Sequence, residues 1–289
     1  MILENEILRA EVLAAGAELR RLTRKTDGYE YLWNANPAYW AKTSPVLFPV
    51  VGALKDDTYQ YEGKTYHLPR HGFARNMQFD ARQISSTCGE FSLTDSSETR
   101  QWYPFAFRLV LRYELIGDTL ACTYTVTNTH DQQPLLFSIG GHPAFSAAGA
   151  KGKPDYTDYY LEFPDDDRLA CHHVVESLIS SEATTIALEN HRLRLSYELF
   201  YADALVLKTL KSKTLYLRNT VNESGICFRY DNFPYFGIWA AKGADFVCLE
   251  PWNGIADAVT HNQQLENKEG IQQLPAGGEW TGKWGVTCF

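Results

Sequence analysis

The chain of 289 residues is long enough for one large domain or two small ones, and its hydrophobic content of 45% supports a sizeable core. A net charge of -8 argues against a nucleic-acid partner. The start, MILENEILRAEV, does not have the pattern of a signal peptide, and no apolar span of about 18 residues follows it. We therefore predict a cytoplasmic protein without a membrane partner.

Alternating apolar and polar residues recur along the chain and predict antiparallel strands. In residues 107–115, FRLVLRYEL, every second residue is apolar, which is the period of a strand with one buried face. The turn IGDT follows, and residues 120–128, LACTYTVTN, continue the alternation, so the two stretches predict a β-hairpin. Further short strands are predicted at KTYHL, HRLRLSY, TLYLRN, GICFRYD, YFGIWA, FVCLEPW and KWGVTCF.

Helical periodicity is scarce. Residues 96–104 and 196–203 could each form a short helical turn, but neither supports a layer of helices. The polar loop at 147–158 and the acidic PDDD at 164–167 are short and flanked by strand patterns, so no composition break divides the chain. We predict an all-β fold, a large antiparallel β-sandwich, formed by a single domain over residues 1–289.

The six cysteines are widely scattered and include no CxxC pair, which predicts buried free thiols. The alternative is a zinc site at Cys171, His172 and His173. Two adjacent histidines do not easily bind one ion, so we predict no metal site.

Three stretches place an ionisable residue beside glycine or proline at the end of an apolar run. They contain His71 in LPRHGFAR, His142 in LFSIGGHPAF and Glu250 in FVCLEPWNG. A buried lone carboxylate is costly unless it is paired, hydrogen-bonded or protonated, so Glu250 needs partners. The alternatives are a structural acid bonded to amides or arginine, and core histidines bonded to backbone carbonyls.

The stretches HGFAR, SIGGHPAF and EPWNGIAD together resemble the aldose 1-epimerase (galactose mutarotase) superfamily, and more narrowly its LacX-like branch. The likeness spans essentially the whole chain, because GAELRRL, SPVLFPVVG, FYADALVL and FPYFGIW are also similar. It implies a β-sandwich of the galactose mutarotase type with an open sugar-binding cleft.

The resemblance also implies a reaction and the residues that perform it. Mutarotation opens the ring of a free aldose and closes it on the other face, so a base must take the proton of the C1 hydroxyl while an acid protonates the ring oxygen. By the resemblance, Glu250 is the base, His142 the acid, and His71 a hydrogen-bond donor near the ring oxygen. Asp203 corresponds to a substrate-binding aspartate. No cofactor is implied.

The remaining expected contacts are to the sugar. Arg75 could orient a sugar hydroxyl or Glu250. An aromatic wall could come from Phe48, Phe73, Tyr156, Trp239 or Trp252, although a core position is the alternative for each. Ala53 stands where many relatives have an arginine, which would remove one contact to the sugar.

Three functional hypotheses follow. The first is an aldose 1-epimerase acting on a free hexose such as galactose or glucose, as a monomer or homodimer. The second is a hexose-6-phosphate mutarotase, whose basic pocket could use Arg70, Arg75 and Arg229. The third is a non-catalytic sugar-binding or regulatory module, because fold alone does not determine function. A further rival is an epimerase-like subunit acting on a modified or larger saccharide.

Overall fold

The structure is a computed structural model that describes residues 1–147 and 154–289; the predicted loop at 147–158 therefore lies in part outside the described residues. The described residues contain one α-helical turn, α1, and five 3-10 turns at 55–57, 74–76, 156–158, 197–200 and 265–267. The helix α1 is Thr99–Trp102, and the 24 strands are β1 Ile2–Glu4, β2 Leu8–Val12, β3 Leu19–Arg24, β4 Val46–Leu47, β5 Thr58–Tyr61, β6 Lys64–His67, β7 Asp80–Gln83, β8 Cys88–Thr94, β9 Phe107–Ile116, β10 Thr119–Asn128, β11 Leu135–Phe137, β12 Ile139–Gly141, β13 Ala144–Ser146, β14 Tyr159–Glu162, β15 Arg168–Val175, β16 Leu178–Ala187, β17 Arg192–Arg194, β18 Leu205–Leu207, β19 Thr214–Asn219, β20 Ile226–Asp231, β21 Tyr235–Trp239, β22 Phe246–Asn253, β23 Gln272–Leu274 and β24 Glu279–Cys288.

Two large antiparallel sheets form the body of the fold. The first has nine strands in the order β17-β14-β19-β20-β24-β10-β9-β8-β7. The second has eight, in the order β16-β15-β18-β21-β22-β12-β4, with β13 also paired to β22. Smaller sheets are formed by β1-β2-β3, β5-β6 and β11-β23. The prediction of a large antiparallel all-β fold is confirmed.

The predicted hairpin and both predicted helical turns are present. Strands β9 and β10 pair with Phe107 opposite Asn128, in the register that the alternating pattern indicates. The stretch 96–104 contains α1, and the stretch 196–203 contains a 3-10 turn at Tyr197–Phe200. None of the described helices is both long enough and apolar enough to span a membrane.

Aromatic side chains fill the space between the two large sheets. The ring of Phe228 in β20 lies 5.8 Å from that of Phe145 in β13 and 6.1 Å from that of Phe236 in β21. On its own sheet, Phe228 also stacks on Trp284 of β24. Such ring pairs bury a large apolar area and stabilise the contact between sheets. All six cysteines are buried and free, as predicted.

Strand β22 lies inside the eight-stranded sheet and is buried along its whole length. It pairs with β21 on one side and with β12 and β13 on the other. Phe236 faces the nine-stranded sheet, and Pro251 lies directly opposite it in the register. Because side chains alternate along a strand, Glu250 and Trp252 project from the other face.

Candidate active site

A cleft with a volume of about 440 Å³ opens on the outer face of the eight-stranded sheet. Its floor comes from three neighbouring strands, since Val206, Gly237 and Glu250 are paired in one row across β18, β21 and β22. Loops supply the walls. The polar and aromatic residues that line the cleft are Trp40, Arg70, His71, Arg75, His142, Ser177, Asp203, Trp239, Glu250 and Trp252.

Glu250 and His142 lie side by side in the cleft. Glu250 projects from β22, and His142 follows the glycines that end β12, where Pro143 prevents further ladder pairing. Oε2 of Glu250 is 3.2 Å from Nε2 of His142. The two residues are only 1% and 7% exposed. The pair is therefore a carboxyl group and an imidazole held together in a largely dry site.

Burial sets the protonation of this pair. It raises the pKa of Glu250 well above the ordinary value of 4.5, against the opposing positive charge of Arg70. Burial, together with the positive charges of Arg75 and Arg70, lowers the pKa of His142 from 6.5 to about 3. Both shifts favour the uncharged forms. With both groups in these forms, the pair as a whole holds one proton, on the carboxyl group of Glu250.

His71 is held in one tautomer by a hydrogen bond from the backbone of another loop. Its φ of 68° lies in the left-handed region and turns the ring into the cleft. The backbone N–H of Gly52 donates to Nδ1 of His71 over 3.1 Å. Because Nδ1 accepts, the ring proton of neutral His71 is on Nε2. Burial and the neighbouring His142 lower the pKa of His71 well below 6.5, so it is a neutral donor.

Two tryptophans fix the ring of His142. Trp40 stacks on it with ring centroids 5.0 Å apart, and Trp239 meets it edge-on at 5.7 Å. Sequence reasoning proposed Trp239 as an aromatic contact but missed Trp40. The residue lies in a loop with no strand periodicity, so the only signal was the aromatic pair YW in NPAYW.

The indole of Trp252 lies on two glycines. A Cβ added to Gly237 would be 2.3 Å from Cζ2 of Trp252, and one added to Gly140 would be 2.6 Å from its Cδ1. No side chain other than hydrogen fits at either position without displacing the ring. The two glycines therefore keep the ring flat against the sheet beside Glu250.

Gly237→Ala should destabilise the protein by about 1–3 kcal/mol, the usual cost of overpacking, and lower any activity of the cleft because Trp252 must move. Urea unfolding would measure the first effect. Gly285→Ala in β24 is the matched control, since its nearest contact would be the carbonyl oxygen of Leu120 at 3.3 Å. Equal urea midpoints for Gly237→Ala and the wild type would contradict the proposed packing.

Charged side chains lie at the wall of the cleft. Arg70 is 3.7 Å from Oδ1 of Asp203, and both are partly exposed. Arg75 donates a hydrogen bond of 2.8 Å to the carbonyl oxygen of Arg70. Among the described residues Arg75 forms no ion pair, so its guanidinium can still bind an acceptor in the cleft.

Several other residues that were expected to contact the sugar lie outside the cleft. Phe48 is completely buried, and its ring packs 5.1 Å from that of Phe107, so the structure corrects its placement from the cleft to the core. Phe73 and Tyr156 also lie outside the cleft lining. Arg229 is in β20 of the other large sheet and donates to Thr287.

Ala53 lies just outside the cleft. Ala53 is buried and does not line the cleft, although Gly52 before it does. Its carbonyl oxygen accepts a hydrogen bond from the backbone N–H of Asp257. The contact to the sugar that an arginine could make is therefore not available from this position.

One group among the described residues has ligand atoms close enough to hold a metal ion. It consists of His142, Cys248 and Glu250, whose atoms lie within 4.8 Å of one another. Burial raises the pKa of the Cys248 thiol well above 9.0, which disfavours the thiolate that metal binding requires. The alternative considered for Cys171, His172 and His173 is not a group of this kind.

Three buried polar atoms of the cleft form no hydrogen bond with the described residues. They are Oε2 of Glu250, Nδ1 of His142 and Nε1 of Trp252. Buried polar groups in folded proteins are almost always hydrogen-bonded. A ligand with several hydroxyl groups would satisfy such atoms, and the adjacent carboxyl and imidazole could then exchange protons with it.

Comparisons with known proteins point to one family over most of the chain. A family model described as aldose 1-epimerase matches residues 1–271. The chromosomal and plasmid forms of Protein LacX from Lactococcus lactis subsp. lactis are each 32% identical over 281 residues, which cover 94% of this chain and 93% of the relative. Two solved structures are also similar. A galactose mutarotase related enzyme from Lactobacillus acidophilus has a TM-score of 0.94 at 32% identity, covering 100% of this chain and 97% of that chain. A galactose mutarotase-like protein from Lactobacillus casei ATCC 334 has a TM-score of 0.91 at 28% identity, covering 100% and 99%.

Proposed function

The chain belongs to the aldose 1-epimerase family, and from this premise we propose that it interconverts the α and β anomers of a free hexose by acid-base ring opening. The observation that carries the proposal is the 3.2 Å separation of Glu250 and His142 inside the cleft. The C1 hydroxyl and the ring oxygen are bonded to the same carbon. An acid and a base that serve them together must therefore be neighbours, as these two groups are.

Glu250 and His142 together accept and donate all the protons that the reaction moves. The one proton of the pair first moves from Glu250 to His142 across their 3.2 Å contact, which leaves a carboxylate and an imidazolium. Glu250 then accepts the proton of the C1 hydroxyl as His142 donates one to the ring oxygen, and the C1–ring oxygen bond breaks to give the open-chain aldehyde. The pair then consists of a carboxylic acid and a neutral imidazole. After rotation about C1–C2, the reverse transfers close the ring on the other face and restore the starting forms.

Burial supports this cycle. The uncharged acid and imidazole are the forms that a dry site favours, so the enzyme groups are stabilised when the sugar is open. Nε2–H of His71 is available to hydrogen-bond the ring oxygen, and Asp203 and Arg75 to bind hydroxyl groups. No proton has to come from solvent during a turnover.

Polarimetry on freshly dissolved α-glucose and α-galactose tests the proposal. We expect the purified protein to accelerate the relaxation of optical rotation above the buffer rate for at least one free aldose. A rate equal to buffer across a panel of aldoses would reject catalysis on those sugars. Sugar binding without acceleration would support the binding-module hypothesis instead.

A 6-phosphorylated hexose is the second candidate substrate, and the two arginines at the cleft favour it. Arg70 and Arg75 both line the cleft, and Arg75 has no carboxylate partner among the described residues. Rates measured with glucose 6-phosphate and galactose 6-phosphate in the same panel decide between the candidates. If phosphate binds Arg75, Arg75→Gln lowers the rate with the phosphorylated sugar more than with the free one.

A further inference from the structure

We propose that the buried ion pair between Asp257 and Lys268 positions His71 as a hydrogen-bond donor in the cleft. Neither residue lines the cleft, so both would act through others. The expected effect of this ion pair on rate rests on the proposed function, whereas its expected effect on the His71 ring does not.

The ion pair is completely enclosed. Nζ of Lys268 lies 2.8 Å from Oδ1 of Asp257, and both side chains are 0% exposed. Nζ also donates to the carbonyl oxygen of Ile255 over 2.7 Å, and Oδ2 of Asp257 accepts the backbone N–H of Lys55 over 2.9 Å. A buried ion pair is tolerated only when its geometry and hydrogen bonds are good. The pair therefore fixes the backbone on both sides of it.

Backbone contacts lead from the ion pair to His71. The N–H of Asp257 donates to the carbonyl oxygen of Ala53 over 2.9 Å. Gly52, the residue before Ala53, makes two reciprocal bonds with His71: its N–H donates to Nδ1 over 3.1 Å, and its carbonyl oxygen accepts the N–H of His71 over 2.9 Å. Gly52 also packs tightly on Ala256, where a Cβ would come within 2.5 Å of the alanine methyl.

The same loop connects the proposed base to the proposed donor. Residues 254–257 follow directly after strand β22, which carries Glu250, and they end at the ion pair. The carbonyl oxygen of Asp257 also accepts the N–H of Ile179, a residue of the cleft lining. A shift of this loop would therefore move Gly52 relative to His71 while β22 stays in the sheet.

Stability alone does not require charges here. Apolar residues of similar volume often replace a buried ion pair without loss of stability, whereas the removal of one partner is strongly destabilising. The ion pair instead holds the loop of residues 254–257 in a single conformation. That arrangement keeps the Gly52 N–H on Nδ1 and so keeps the His71 proton on Nε2, where a donor to the ring oxygen needs it.

The test is Lys268→Met in the full-length protein, with nitrogen NMR of the His71 ring and steady-state polarimetry as readouts. We expect a mixture of the two neutral His71 tautomers in place of the Nε2–H form, and a kcat lowered by roughly tenfold with a smaller change in KM, as for a misplaced catalytic group. Asp257→Asn combined with Lys268→Met removes both charges and keeps an acceptor for Lys55. We expect this double variant to recover most of the Nε2–H population.

Asp166→Asn is the matched control, because Asp166 is another buried carboxylate and lies outside the cleft lining. It accepts hydrogen bonds from the N–H and hydroxyl of Ser212 and from the N–H of Lys211. This variant should lose stability without changing the His71 tautomer. A Lys268→Met protein that retains the Nε2–H form overturns the proposal, as does a tautomer change of the same size in Asp166→Asn. If the wild type accelerates the anomer interconversion of no sugar, the proposed function is rejected, and the tautomer of His71 alone tests this inference.

Discussion

Glu250→Gln should lower the rate of anomer interconversion by at least about 100-fold, the usual effect of removing a general acid or base. The amide keeps the size and hydrogen-bonding shape of the acid but cannot take the C1 hydroxyl proton. Because burial already raises the pKa of Glu250 well above 4.5, the site tolerates a neutral group there, and we expect the variant to fold. Polarimetry with the best wild-type sugar measures the loss.

Glu30→Gln is the control for this substitution. Oε1 of Glu30 accepts the backbone N–H of Leu22 in the small sheet β1-β2-β3, and the residue does not line the cleft. We expect its rate to equal that of the wild type. A Glu250→Gln protein that retains a rate within a few fold of wild type would falsify the role of Glu250 as the base.

His142→Asn should also lower the rate by at least about 100-fold. Asparagine can still donate a hydrogen bond, but it cannot lose and regain a proton at the ring oxygen. The loss should appear mainly in kcat, since sugar contacts from Asp203 and Arg75 remain. The double variant with Glu250→Gln should be little slower than either single variant, because the two groups work as one unit.

His172→Asn is the matched histidine control. His172 lies in β15 outside the cleft lining, and burial also lowers its pKa, so the substitution removes a perturbed imidazole that has no proposed role. An unchanged rate is expected. If His142→Asn lost no more activity than His172→Asn, a different acid would have to protonate the ring oxygen.

The strand pattern could be predicted from the sequence because it depends on local periodicity. The hairpin of β9 and β10 has one apolar residue in every two, and the apolar run FVCL before Glu250 lies in the buried strand β22, which continues past Glu250 to Asn253. Such patterns reflect which face of a strand is covered. That Glu250 and His142 would be neighbours came from the resemblance to a family, since they are more than a hundred residues apart.

Where apolar and polar residues do not alternate, the sequence could not predict whether an aromatic ring lies in the core or in the cleft. SPVLFPVVG is apolar after its first residue, and only Val46–Leu47 within it forms a strand, so nothing local placed Phe48 in the core. Trp40 and Gly52 act through contacts with residues distant in sequence. The hydrogen bond from Gly52 to His71 depends on how two loops meet, which no local period records.

The position of the proposed base Glu250 inside a sheet, with the proposed sugar-binding groups on loops, has an evolutionary consequence. Glu250 belongs to a strand paired on both sides, where a substitution or insertion disturbs many neighbours. Arg70, Arg75 and Asp203 lie between strands, where the chain tolerates change. Descendants of one ancestral protein could therefore diverge in the sugar they accept while inheriting the same chemistry, and substrate preference should follow the sequences of these loops rather than overall identity.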